Sequence, residues 1–185
     1  MKKLFFLIIT VAAGSLAAQQ DSLTFKKTFE LEVDPIAYAL KGYSVHGIYN
    51  HNHFRFDLGF YGIETPGELT GNKGFTVRNS GFGLKANYMF RKVNGFYGGV
   101  DLGYGKTIAT ETESNLKDTG HNISVGTHIG YRFFLFPRQH NALHGLYLTP
   151  WAGISYNYAH DAITLGNYKE SSLGYFATFH VGYRF

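Results

Sequence analysis

Residues 173–185 alternate between two chemically different faces, and this pattern limits the possible folds more than any other feature of the sequence. One face carries Leu173, Tyr175, Ala177, Phe179, Val181, Tyr183 and Phe185. The other carries Gly174, Phe176, Thr178, His180, Gly182 and Arg184. A repeat of two residues is that of a β-strand, and unlike faces indicate two unlike environments. Soluble proteins seldom expose a row of aromatic residues, so the pattern favours lipid on the apolar side.

The same alternation recurs earlier in the chain. Segments 54–61, 82–90, 96–104 and 123–133 each have an apolar face and a face that is polar or small. Residues that we expect to face lipid include Phe54, Phe56, Leu84, Tyr88, Val100, Ile129, Val181 and Phe185. Unpaired backbone groups are costly in hydrocarbon, so a sheet that crosses a membrane has to close on itself. The sequence therefore predicts an all-β fold, a closed antiparallel up-and-down transmembrane β-barrel.

The links between the alternating segments set the number of strands. Short and long links alternate: the short ones are 50–52, 92–94 and 137–144, and the long ones are 63–75, 109–120 and 161–172. Bacterial barrels have short periplasmic turns and longer outward loops. The stretch 25–50 is too long for one strand of about 9–11 residues, so we divide it at 34–42. This division gives eight strands.

The N-terminus predicts export. Two lysines precede a short apolar run, 4–13, and small residues up to Ala18 follow it. This order is that of a secretory signal peptide, and the run is about half as long as a membrane helix requires. We expect residues 1–18 to be a signal peptide and residues 19–185 to form an outer-membrane β-barrel.

Composition supports a cell-envelope protein and argues against some other classes. The chain has 17 Phe, 14 Tyr and 23 Gly, a combination typical of short membrane-facing strands. It has no cysteine, so neither lipid attachment at a cysteine nor disulfide bonds are expected. Its formal net charge is +4 without a basic run, which argues against nucleic acid binding.

The strand and loop rhythm and the terminal strand resemble the small eight-stranded outer-membrane barrels, the group typified by the OmpA membrane domain and OmpX. The residues that carry the resemblance at the chain end are His180, Val181, Gly182, Tyr183, Arg184 and Phe185. It implies outer-membrane lipid as a partner, and insertion by the barrel assembly machinery through the strand that ends at Phe185. Members of this group include anchors, adhesins, small pores and a few lipid-modifying enzymes, so the fold does not select a task.

The strand faces place many ionisable residues inside the barrel. The acids are Glu30, Glu32, Asp34, Asp57 and Asp101, the cations are Arg55, Lys85, Arg132 and Arg184, and the histidines are His46, His128 and His180. An eight-stranded barrel is filled by its own side chains, and unpaired charges there are costly. We expect a paired network that plugs the interior, with no cofactor, and a structural or surface-interaction role. The alternative is a narrow pore or a carrier of a small ligand; the sequence does not identify an extracellular ligand for the loops.

A metal site is a sharper hypothesis for the first hairpin. If the chain turns near Tyr38, Glu30 lies opposite His46, and barrel closure brings His180 close to Glu30. Two imidazoles and a carboxylate are ligands that zinc accepts. The alternative is that Glu30 accepts hydrogen bonds from both histidines, in the same network as Asp101 with His128.

An enzyme is the least favoured class. A set of His160, Asp161 and Ser171 or Ser172 in an outward loop is conceivable for a lipid acyltransferase or deacylase. Such a triad is recognised by geometry, which sequence does not supply. The deacylase pattern, a histidine followed two residues later by a serine, does not occur. We therefore expect no catalytic activity.

Overall fold

The computed structural model describes residues 27–91, 94–135 and 144–185, which form a single closed barrel of eight antiparallel strands. The strands are β1 (Thr28–Val33), β2 (Tyr43–His51), β3 (Phe54–Pro66), β4 (Phe75–Met89), β5 (Gly95–Glu111), β6 (Lys117–Phe134), β7 (Gly145–Asp161) and β8 (Leu173–Arg184). The helices of this described part are α1 (Pro35–Ala39) and α2 (Gly67–Thr70). Each strand pairs with the next, and β8 pairs with β1. The predicted all-β, closed, up-and-down architecture is confirmed.

Neither α1 nor α2 has the length and apolarity that a helix needs to cross a bilayer. The expected signal peptide, 1–18, lies outside the described residues, as do parts of the short links 92–94 and 137–144.

The outward faces of the strands carry a belt of exposed apolar side chains. Leu84 on β4 is 50% exposed, and it pairs with Leu58 on β3 and Leu102 on β5. The side chains that were expected to face lipid point away from the interior, and seven of them are largely exposed: Phe54, Phe56, Leu84, Tyr88, Val100, Ile129 and Phe185. Val181 is half-buried. The belt is thus apolar surface that the fold leaves uncovered.

Several strands are longer than the sequence pattern predicted. β6 has 18 residues, and the link between β5 and β6 is only 112–116 rather than 109–120. The link between β3 and β4 is 67–74 and contains α2. Here the lipid-type alternation ends while the backbone ladder continues, so the pattern underestimates strand length. The long link before β8 is 162–172, in agreement with the prediction.

The wall of the barrel is low at β1 and β2. β1 has six residues and β2 has nine, whereas their neighbours β8 and β3 have 12 and 13. Pairing of β1 with β8 ends at Val181, and pairing of β2 with β3 ends at Gly62. In the described chain, residues 173–180 of β8 and 63–66 of β3 therefore have no strand partner on this side. We call this gap in the wall the notch.

Helix α1 lies in the notch. The Asp34 carboxylate accepts the Ile36 N–H at 2.8 Å, which caps the helix, and Pro35 follows at the first turn. The other Asp34 oxygen accepts the Thr178 hydroxyl of β8 at 2.8 Å. On the other side, the Glu64 N–H of β3 donates to the Leu40 carbonyl at 3.0 Å. The helix thus connects the two edges of the notch.

The link 162–172 folds over the start of β4 and the end of β5. The Asn72 amide and the Lys169 backbone exchange two hydrogen bonds, of 3.1 and 2.8 Å. Burial, together with the Glu170 carboxylate, raises the pKa of the Tyr168 phenol. The link covers a small apolar cluster whose buried members are Phe75, Val77, Ala109 and Ile163.

Candidate functional site

A charged network around Glu30 fills the half of the barrel at which β1 begins and β8 ends. We call this the inner half and the opposite end of the barrel the outer half. This carboxylate is 1% exposed and belongs to β1. It accepts from Arg132 Nη1 at 2.9 Å, from Arg184 Nε at 2.7 Å and from the Tyr147 hydroxyl at 2.8 Å. A buried carboxylate that receives several charge-assisted hydrogen bonds is well compensated for lost solvation. The network therefore ties β1 to β6, β7 and β8.

Glu32 is the second centre of this network, two residues further along β1. Its carboxylate is paired with Arg55 Nη2 at 2.5 Å and accepts the Thr149 hydroxyl at 3.2 Å. His180 Nδ1 lies 2.9 Å from the other Glu32 oxygen. The Trp151 indole N–H donates to His180 Nε2 at 3.1 Å.

The predicted position of Glu30 beside His46 and His180 is wrong by two residues. Glu30 lies opposite Ile48, and Glu32 lies opposite His46. The prediction assumed a turn near Tyr38, but the chain forms α1 there, which changes the strand register. Glu30 contacts arginines, whereas Glu32 contacts His180. Within the described ranges, no group of three or more His, Cys, Asp or Glu side chains is arranged to hold a metal ion.

The structure places the other expected interior residues inside the barrel. Glu32, Asp57, His128, Arg132 and Arg184 are buried, and Lys85 and Asp101 are half-buried. The expected pair of Asp101 with His128 is present, with 3.0 Å between Asp101 Oδ1 and His128 Nδ1.

Lys85 and Asp34 differ from the rest of the network. Among the described residues, Lys85 has no carboxylate within 4.0 Å, and its ammonium lies 3.6 Å from the centroid of the Trp151 ring. Asp34 caps α1 at the notch, outside the network.

Ser44, His46 and Asp57 form a chain of hydrogen bonds. Ser44 and His46 are two residues apart on β2 and both face the interior, while Asp57 is on β3. Ser44 Oγ lies 3.1 Å from His46 Nε2, and His46 Nδ1 lies 2.8 Å from Asp57 Oδ1. Sequence analysis did not select Ser44. The available signal was its spacing of two from His46, which puts both side chains on one face of a strand.

A cavity of about 550 Å3 occupies the outer half of the barrel. Its floor includes His46, His180, Lys85 and Trp151, and its wall reaches α1 in the notch through Ile36, Ala37 and Leu40. Gly83 also lines it, and a Cβ atom built there meets only the Leu102 carbonyl oxygen, at 3.7 Å. Ligand sites in proteins commonly have volumes of about 300–1,000 Å3. The cavity is therefore large enough for a small ligand.

The set of loop residues considered for catalysis gains no support. The Ser171 hydroxyl donates to the Leu173 carbonyl at 2.7 Å. The side chain of His160 lies outside what the structure describes.

Comparison with known proteins adds no family assignment. No family model matches the chain, and neither the curated proteins nor the solved structures contain a significant match.

Proposed function

We propose that this chain is an integral outer-membrane protein whose barrel is closed in its inner half and serves a structural or surface-interaction role. The observation that carries the proposal is the contrast between the two faces of one closed sheet. Buried charges occupy the inside, and exposed aromatic and aliphatic side chains cover the outside. This arrangement is the reverse of a soluble barrel and matches the lipid-out, polar-in pattern of membrane barrels.

The outer surface suits acyl chains. It has a concavity of about 790 Å3 among belt side chains that include Phe29, Leu58 and Leu102. Lipid chains would fill this concavity. Contact of its apolar surface with water would be energetically unfavourable. Export through residues 1–18, and insertion by the barrel assembly machinery through β8, belong to the same proposal.

The network argues for a barrel that does not conduct. Glu30 and its arginine partners are 6% exposed or less, and they join strands on opposite sides of the lumen. Opening a path for ions would separate charges that compensate one another. The network in the inner half would therefore block the passage of ions rather than select among them.

A second candidate is a carrier of a small ligand, which the cavity in the outer half favours. Residues of the same network form the floor of this cavity. The ligand would therefore be held above the network and would not pass through the barrel.

Two measurements test the proposal. Cells that express the full chain should carry it in the outer-membrane fraction, with faster gel migration before heating than after heating, as a closed barrel shows. Purified protein in planar bilayers should give no steady single-channel current under conditions where a porin control conducts. Recovery in the soluble periplasmic fraction would contradict the membrane proposal, and steady unit currents would replace the plug with a pore.

A further inference from the structure

Three interior histidines pair with carboxylates, but their second nitrogens have different partners. In the described residues, His128 Nε2 contacts the Asn87 amide oxygen, at 2.6 Å, and His180 Nε2 accepts from Trp151. His46 Nε2 faces the Ser44 hydroxyl. The acid, imidazole and hydroxyl order therefore occurs at His46, and not at His128 or His180.

The hydrogen-bond partners of His46 fit one neutral tautomer of its ring. The Asp57 carboxylate is an acceptor, so Nδ1 of the neutral ring carries the proton and donates to Asp57 Oδ1. Nε2 is then the acceptor, and the Ser44 hydroxyl donates to it over 3.1 Å. This is the arrangement that activates a serine nucleophile in Ser-His-Asp hydrolases.

The burial of these groups suits the same roles. Ser44 and His46 line the cavity, while the Asp57 side chain is 1% exposed behind the imidazole. The second Asp57 oxygen lies 3.9 Å from Arg55 Nη1, which supports the carboxylate from the network side. Ser44 and His46 are 3% and 7% exposed and border the cavity, and Asp57, which orients the base, lies behind them.

Helix α1 in the notch forms part of the wall of this cavity. Ser44 is the second residue of β2, at the rim of the low part of the wall. The cavity wall includes Ala37 of α1 and Ala177 of β8, which lie at the notch. The link 162–172 packs over the apolar cluster at the start of β4 and the end of β5. Ser44 and the helix in the notch therefore border the same cavity.

We propose that Ser44 and His46 are catalytic residues, with Asp57 as the positioning residue, of a site that hydrolyses an acyl ester of a membrane amphiphile. The lipid source of this substrate rests on the proposed outer-membrane location, whereas the hydrolytic chemistry does not. The proposal departs from the expectation of no catalytic activity, which the experiments below test, because the distances among the three side chains could not be read from the sequence.

The reaction has two balanced steps. The Ser44 oxygen attacks the ester carbonyl while His46 Nε2 takes its proton, and the bond to the alkoxy group breaks as His46 returns that proton to the leaving oxygen. An alcohol is released and an acyl-Ser44 ester remains. Water, deprotonated by His46, then attacks this ester, and the acyl–oxygen bond breaks as His46 returns the proton to the Ser44 oxygen, which releases a carboxylic acid and restores the Ser44 hydroxyl.

Covalent labelling tests the nucleophile. The refolded barrel in detergent micelles is treated with a fluorophosphonate, whose phosphorus is attacked by an activated serine as fluoride leaves. We expect one label, mapped by mass spectrometry to Ser44, and its loss in S44A. The matched control S114A removes an exposed serine in the link 112–116, outside the cavity, and should keep the label. Absence of labelling, or labelling that S44A does not reduce, would overturn the proposal.

Ester hydrolysis tests the triad independently of the labelling. With 4-nitrophenyl dodecanoate in micelles, S44A should abolish turnover. D57N should lower kcat far more than it changes KM, because the wrong imidazole tautomer is favoured; the comparable loss in serine proteases is on the order of 10⁴-fold. Heat-dependent gel migration checks that both variants are folded. Equal rates for wild type, S44A and D57N would refute the site even if the protein is found in the outer membrane.

A cavity-filling variant tests whether the cavity holds the acyl chain of the ester. At position 83 a Cβ atom would meet only the Leu102 carbonyl oxygen, at 3.7 Å, and G83L leaves Ser44, His46 and Asp57 in the sequence. We expect G83L to lower the ratio of dodecanoyl to acetyl ester hydrolysis at least tenfold. Equal effects on both esters would contradict the cavity as the acyl-chain site.

Discussion

Gly59 gives the His46 imidazole its position. The ring lies against β3, and a Cβ atom at position 59 would be 2.3 Å from His46 Nδ1. Since the same nitrogen bonds to Asp57, a shift of the ring away from β3 would disturb that bond. The absence of one side chain on β3 is therefore part of the Ser44, His46 and Asp57 geometry.

We predict that G59A lowers the free energy of unfolding by about 1–3 kcal/mol, the usual cost of overpacking. Urea unfolding in lipid vesicles measures this change. The matched control is G47A on β2, where a Cβ atom meets nothing within 4 Å and should cost much less. If G59A and G47A were equally stable, the contact between His46 and β3 would not be tight.

At the scale of the strand, β4 shows how one element serves two environments. Leu84 points outward beside Leu58 and Leu102, and Asn87 points inward, where it donates to the Arg55 carbonyl at 3.2 Å. Asn87 is 1% exposed. One face of this strand therefore belongs to the belt, and the other belongs to the network.

We predict that, if the belt spans the bilayer as proposed and Leu84 lies near its midplane, L84R destabilises the protein by about 2–4 kcal/mol, the usual cost of a charge there. The matched control is L69R on α2, where Leu69 is 73% exposed outside the belt and the change should be within about 0.5 kcal/mol. Unfolding in vesicles compares the two. A soluble barrel would tolerate both substitutions alike, which is the outcome that contradicts membrane insertion.

At the scale of the whole molecule, closure of the barrel and the buried network depend on each other. The strands that close the ring are β1 and β8, and Glu30 on β1 lies opposite Arg184 on β8. The Glu30 carboxylate also reaches Arg132 on β6. One buried acid therefore joins the first strand to strands far away in sequence.

We predict that E30A lowers the free energy of unfolding by about 3–5 kcal/mol, because it leaves Arg132 and Arg184 buried without their shared partner. E64A is the matched control, since Glu64 pairs at 3.5 Å with Lys41, whose side chain is 82% exposed, and such pairs contribute about 0–1 kcal/mol. Equal losses in the two variants would show that the buried pairing adds nothing beyond a surface ion pair.

The local alternation of the sequence determined which face each residue occupies. Leu84 and Val100 point out, and Arg132 and Glu32 point in, because a strand repeats every two residues whatever its neighbours are. Only the tertiary structure decided which inward residues meet. A register shift of two residues leaves every side chain on its face but changes its partner, so the sequence pattern could not distinguish Glu30 from Glu32 as the neighbour of His46 and His180. That choice depends on α1, which sets the β1 and β2 register, and on the pairing of β8 with β1 across the whole chain. The bond from His46 to Asp57 was undetermined for the same reason, whereas Ser44 and His46 share one face of one strand.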